Sequence, residues 1–195
     1  MFLKVFKIET HIIICKDERC VHKAKRLFIT ALFSSIVFVT NFFVPPPISS
    51  LLIVVQAVVL ALAALFVGKA GATYVGFVGG FLSALSRPTF GPFTFAFTFF
   101  FGFLVDALFL VFQAAPTEKG VNRNRVILAM AASTAIIGFL SYYMIAVILK
   151  IPELTPLEYT PMMSALVIFV ATGSGISAGY AAAYLWNKYL KSFPL

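Results

Sequence analysis

The residue types able to do chemistry in this 195-residue chain fall into two groups that do not overlap. His11, Cys15, Cys20 and His22 gather near the amino end and are of the kinds that hold zinc. Their spacings match no common finger, so they read as reduced thiols and imidazoles on a charged arm, and no metal or other cofactor is expected. The second group is polar residues set within or between long apolar stretches: Asn41, Gln56, Asp106, Tyr142 and Tyr143, with Arg87, Glu153, Glu158 and Tyr159 in the segments that link them. Such groups suit recognition more than catalysis. The sequence holds no glycine-rich phosphate loop, no Gly-Xaa-Ser-Xaa-Gly elbow and no His-Glu-Xaa-Xaa-His, so no catalytic residue is assigned and an enzyme is not expected.

The elements that must position these groups follow from composition. Hydrophobic residues make up 61% of the chain and charged residues 11%, against about 45–50% and about 25% in a soluble domain. That excludes a soluble domain and a disordered chain, and two cysteines cannot frame a disulfide scaffold. The expected fold is an all-α, polytopic membrane protein. A crossing needs about 20 apolar residues at about 1.5 Å each. Six stretches approach this: Leu27 to Val44, halted by Pro45, Pro46 and Pro47; Ile48 to Val67; the shorter Ala70 to Leu85; Pro92 to Ala114; Val126 to Leu149; and Met162 to Trp186. Residues 1–25 are expected to form a basic cytoplasmic arm and residues 26–195 a six-helix transmembrane domain.

Orientation follows from the cations. With the amino terminus inside, every Lys and Arg except Arg87 and Lys150 lies on the cytoplasmic side, and both termini are cytoplasmic. Topology thus accounts for the net charge of +8, and no nucleic acid is needed as a partner. Trp186, Tyr184 and Tyr189 fall near the inner interface, where such rings settle.

Two stripes of small residues, Ala72, Gly76, Gly80 and Ala84 in the third stretch and Ala171, Gly175, Gly179 and Ala183 in the sixth, recur every four residues and would bury a neighbouring helix or a partner. The phenylalanines from Phe93 to Phe103 would face lipid, fill space above glycines, or wall a pocket for a flat ligand. Asp106, the one acid well inside a stretch, would reach the inner interface, pair with Lys69, or couple to a ligand or partner. On the outer side Asn41, Gln56, Tyr142 and Tyr143 come to similar depths beneath Arg87, Glu153, Glu158 and Tyr159. Apolar walls with a few convergent polar groups are what a small polar or heteroaromatic ligand requires.

The run from Leu60 to Phe93 (LALAALFVGKAGATYVGFVGGFLSALSRPTFGPF) ends one helix at Gly-Lys-Ala-Gly, opens a glycine-rich helix, and passes through a proline-glycine loop into a fourth. In this layout the chain, from Lys25 to Lys191, resembles the substrate-binding S components of energy-coupling factor (ECF) transporters of prokaryotes. The resemblance implies a cell-membrane module for uptake of a vitamin or vitamin precursor. Such a module binds its ligand outside and delivers it with a shared transmembrane coupling subunit and two ATP-hydrolysing subunits. It also implies an Ala-Xaa-Xaa-Xaa-Ala contact for that subunit on the first helix, whose nearest match here is Ala31 and Ser35, and a gating loop at Pro45 to Pro47. Arg87, Tyr143, Glu153, Glu158 and Tyr159 match the ligand-holding positions by place.

Aromatics together with Asp106, Glu153 and Glu158 favour thiamine or its pyrimidine precursor as cargo, while Arg87 and Lys150 would equally meet a carboxylate, as in biotin. A structural or assembly subunit of a larger membrane complex, held through the glycine stripes, is the alternative from another class. A channel is disfavoured because the stretches lack rings of charge.

Overall fold

The computed structural model describes residues 18–42, 49–68, 70–86, 91–114, 120–144 and 161–190, with the side chains at 18–23, 49–52 and 161–164 outside that description. Within it are six α-helices: α1 (Glu18–Phe42), α2 (Ser49–Val67), α3 (Gly71–Ser86), α4 (Gly91–Val111), α5 (Arg123–Tyr143) and α6 (Pro161–Leu185), the last continued by one π-helical turn, Trp186–Leu190. Four are long and apolar enough to cross a membrane, over residues 24–42, 91–111, 123–143 and 165–190. The apolar stretches described in α2 and α3, Ile53–Val67 and Gly71–Ser86, are shorter. A polytopic membrane protein is the reading these helices support.

α2 is apolar on every side, the pattern of a helix surrounded by others. It lies at the centre, where Ala57, Leu60, Ala61 and Ala63 are fully buried. The remaining helices line up around it in the order α1, α3, α4, α5, α6, each against the one before and each also against α2. Phe66 at the end of α2 meets Trp186 edge-on at 4.9 Å and Phe33 of α1 at 6.1 Å.

α3 is built the opposite way to a helix of a soluble protein. Its buried face is Gly71, Ala72, Val75, Gly76, Gly79, Gly80 and Ser83, while Tyr74, Phe77, Phe81 and Leu85 point outward. Small residues inside let backbones meet, which is what holds helices together in lipid. Ala72 lies against Gly102 of α4, and Cβ atoms added at Gly76 and Gly80 would come within 2.7 Å of the Thr98 carbonyl and 3.1 Å of Thr98 Cβ. Ala84 closes the row against Gly91. The rising numbers on α3 meet falling numbers on α4, so the two are antiparallel.

On its other flank α3 runs parallel to α1: the Ser34 hydroxyl reaches the Val75 carbonyl at 3.4 Å, and a Cβ at Gly79 would lie 2.9 Å from Val37 Cγ1. The second stripe behaves alike. Cβ atoms at Gly175 and Gly179 would come within 2.6 Å of the Met130 carbonyl and 2.8 Å of Ile127 Cα, so α6 packs antiparallel on α5. Asn187 then exchanges two hydrogen bonds with the backbone of Val121, at 2.9 and 3.1 Å. The starts of α1, α3 and α5 and the ends of α2, α4 and α6 thus form one end of the bundle.

Element ends differ from the apolar runs for local reasons. α1 is described from Glu18 onward, so the helix runs through the boundary expected at residues 25 and 26. α4 stops at Val111, short of Ala114, because Gln113 turns to φ 50° and the Gln113 and Ala114 N–H groups donate back to Leu110 and Phe109 at 3.2 and 2.9 Å. α5 starts at Arg123, three residues before the apolar run, because Asn122 caps it by accepting from the Asn124 N–H at 3.2 Å.

Candidate functional site

Four of the residues expected to bind a ligand, Asn41, Gln56, Tyr142 and Tyr143, lie toward the end of the bundle opposite the Asn187 junction. Asn41 stands in the last turn of α1, half-buried, with its Nδ2 shut off from solvent and without a hydrogen-bond partner among the described residues. The offset that pairs Val37 with Gly79 sets Asn41 level with Ser83, whose hydroxyl is engaged with the Gly79 carbonyl at 2.8 Å. Gln56 lies two turns into α2 and is half-buried. Tyr142, in the last turn of α5, is half-buried as well.

Tyr143 faces outward. It is 48% exposed and stacks on Phe139, itself 53% exposed, with centroids 6.5 Å apart. Among the described residues no hydrogen bond joins it to Asn41 or Gln56. Arg87, Glu153, Glu158 and Tyr159, together with Lys150 and Pro45 to Pro47, lie outside the described residues, as do His11 and Cys15; Cys20 and His22 fall in the first turns of α1.

Asp106 lies at the other end, 7% exposed in α4. Its Oδ1 accepts the Ala72 N–H at 3.2 Å, and its Oδ2 accepts the Thr73 N–H at 2.7 Å and the Thr73 hydroxyl at 2.6 Å. A helix start leaves four N–H groups without intrahelical partners. Asp106 therefore caps α3 from a neighbouring helix, and groups of the chain itself satisfy its carboxylate. Lys69, its other expected partner, is outside the described residues. Thr73 escaped the sequence reading. The signal was the lack of a local cap: Lys69 and Ala70 stand before α3, where Ser, Thr, Asp or Asn is usual.

The phenylalanines of α4 form a ring cluster with α3. Phe77 lies 5.5 Å from Phe95 and 6.0 Å from Phe99, both edge-on, and Phe95 stacks on Phe99 at 6.1 Å. These rings seal the lipid side of the α3–α4 seam above Gly76 and Gly80.

Ala31 and Ser35 are exposed on α1, and the Ser35 hydroxyl donates to the Ala31 carbonyl at 2.9 Å. With that hydroxyl satisfied within the helix, the face carrying Ala24, Leu27, Phe28 and Ala31 presents an exposed apolar surface. The chain matches no known protein family, no curated protein and no solved structure.

Proposed function

We propose that this chain is the membrane-embedded substrate-binding subunit of an ECF-type uptake transporter, which takes a small vitamin or vitamin precursor from outside. The observation that supports this reading is Asn41 Nδ2, a buried amide donor with nothing among the described residues to receive it. A buried donor left unpaired costs about 1–3 kcal/mol, and a ligand acceptor would recover that cost. Gln56 of α2 and Tyr142 of α5 lie toward the same end of the bundle. The exposed face at Ala31 and Ser35 offers the place where a shared transmembrane coupling subunit, with its two ATP-hydrolysing subunits, would dock.

Of the carboxylates that favour a cationic heterocycle, Asp106 is engaged with α3. Preference for thiamine or its pyrimidine precursor rests on Glu153 and Glu158. The six crossings, with both termini in the cytoplasm, belong to the same proposal through the placing of Lys and Arg.

Native mass spectrometry of the detergent-purified chain, from a host with intact vitamin metabolism, tests the reading. One bound heterocycle per chain supports it and names the cargo. An empty protein whose melting ignores a vitamin panel defeats it and favours an assembly subunit, for which the exposed α1 face would be the partner surface.

A further inference from the structure

At the end of the bundle opposite Asn41, α6 presents a graded face. Ile176, Tyr180, Tyr184 and Lys188 recur every four residues, and all four are exposed. Spacing of four puts them on one side of the helix. The face passes from apolar to aromatic to cationic along its length. Tyr180 and Tyr184 stack with planes 4° apart and centroids at 6.4 Å. Arg123, at the start of α5, lays its guanidinium 3.8 Å from the centre of Tyr180. Lys188 donates to the Tyr184 hydroxyl at 2.7 Å and lies 5.2 and 5.3 Å from the rings of Tyr184 and Tyr189.

The two cations are thus held by ring faces and a hydroxyl. The one carboxylate whose side chain falls among the described residues, Asp106, is bound to α3. A guanidinium lying over a ring keeps its N–H donors directed sideways in its own plane, where an oxyanion can take two of them. The backbone beneath is fixed. Asn187, beside Lys188, is joined to Val121, two residues before Arg123, by the pair of hydrogen bonds at 2.9 and 3.1 Å. Trp186, 4% exposed, anchors the same turn against Phe66. Cations from two separate elements are therefore set beside the same pair of tyrosines.

We infer that this row binds the phosphate of an anionic phospholipid in the leaflet at that end of the bundle. The phosphate sits between Arg123 and Lys188, the glycerol lies along Tyr180 and Tyr184, and an acyl chain follows Ile176 into the hydrocarbon. A zwitterionic headgroup carries its own ammonium and gains less from two cations. Basic residues beside aromatic rings at a membrane interface are suited to such headgroups. The inference needs a membrane around the bundle and does not depend on the cargo.

The full chain, reconstituted in nanodiscs of phosphatidylcholine with a graded share of phosphatidylglycerol, is released into native mass spectrometry and its retained lipids are counted. Wild type should retain one phosphatidylglycerol in preference to phosphatidylcholine. Arg123→Gln or Lys188→Gln should each lower that occupancy about fivefold, as expected for one cation near a headgroup. Arg125→Gln removes the same charge from the same helix, but Arg125 Nη1 faces the Gln113 carbonyl at 3.4 Å, and this variant should stay within about twofold of wild type. Equal losses in Arg123→Gln and Arg125→Gln would mean a diffuse surface potential and overturn the assignment. So would equal retention of both lipids, or displacement of the lipid by millimolar inorganic phosphate, which would mark a soluble-anion site. Should Arg123→Gln fail to fold, Lys188→Gln, at the exposed end of the row, carries the same test.

Discussion

Asp106 of α4 and Thr73 of α3, 33 residues apart in sequence, are joined by two hydrogen bonds of 2.7 and 2.6 Å to a single carboxylate oxygen. This contact ties the first turn of α3 to α4 at the point where the chain turns back from α2. Replacing Asp106 by Ala leaves the Ala72 and Thr73 N–H groups unpaired inside the protein and should cost about 1–3 kcal/mol. Thr73→Val removes only the hydroxyl bond and should cost about 1 kcal/mol. The midpoint of thermal unfolding in detergent orders the two, and equal midpoints for Asp106→Ala and wild type would contradict the capping role.

The two halves of the α6 glycine pattern should respond in opposite directions. Nothing lies within 4 Å of a Cβ at Gly173, whereas one at Gly175 would meet the Thr134 hydroxyl and lie 2.6 Å from the Met130 carbonyl. Gly173→Ala should therefore raise stability by about 0.5–1 kcal/mol through the lost chain freedom of glycine. Gly175→Ala should push α6 off α5 and lower the unfolding midpoint. A common sign for the two changes would mean that helix propensity, and not the backbone approach, governs this face.

Backbone conformation gives a third test, independent of contacts. Ala70 and Gln113 hold φ of 68° and 50° at the two turns closing this end of the bundle. Side chains other than glycine pay roughly 1–2 kcal/mol in that region. Ala70→Gly and Gln113→Gly should each stabilise by about 1 kcal/mol. Gly68 sits at φ +77° with open space around it, so Gly68→Ala should destabilise despite meeting no neighbour. Unchanged midpoints in all three would remove the assigned strain.

Much of this architecture is legible in the residues. The six helices can be read from apolar run lengths, since each run has to satisfy its own backbone before it can enter lipid. Their ends are not, because they depend on single caps: Asn122 starts α5 before the apolar residues begin, and Gln113 ends α4 before they run out. Asn41 is legible as a polar residue in an apolar run. The outward turn of Tyr143 is not, because helical position alone does not tell which neighbours surround α5. Asp106 is legible as costly, but its partner belongs to another helix, and no local pattern carries a cap made across the bundle.

Asn41 separates stability from binding. Its Nδ2 is buried without a partner among the described residues, so Asn41→Leu removes a desolvated donor and should leave the ligand-free protein as stable or raise it by about 1 kcal/mol. Under the transporter reading the same change removes a donor from the ligand. The melting shift that the cognate vitamin gives wild type should then shrink, since the stabilisation by a bound ligand falls as its dissociation constant rises. A variant that melts lower than wild type without ligand would show that Asn41 is satisfied by the chain itself. A variant that keeps the full ligand-induced shift would place the site away from the end of α1. Only higher or equal intrinsic stability together with a lost ligand response agrees with a donor held ready for a cargo.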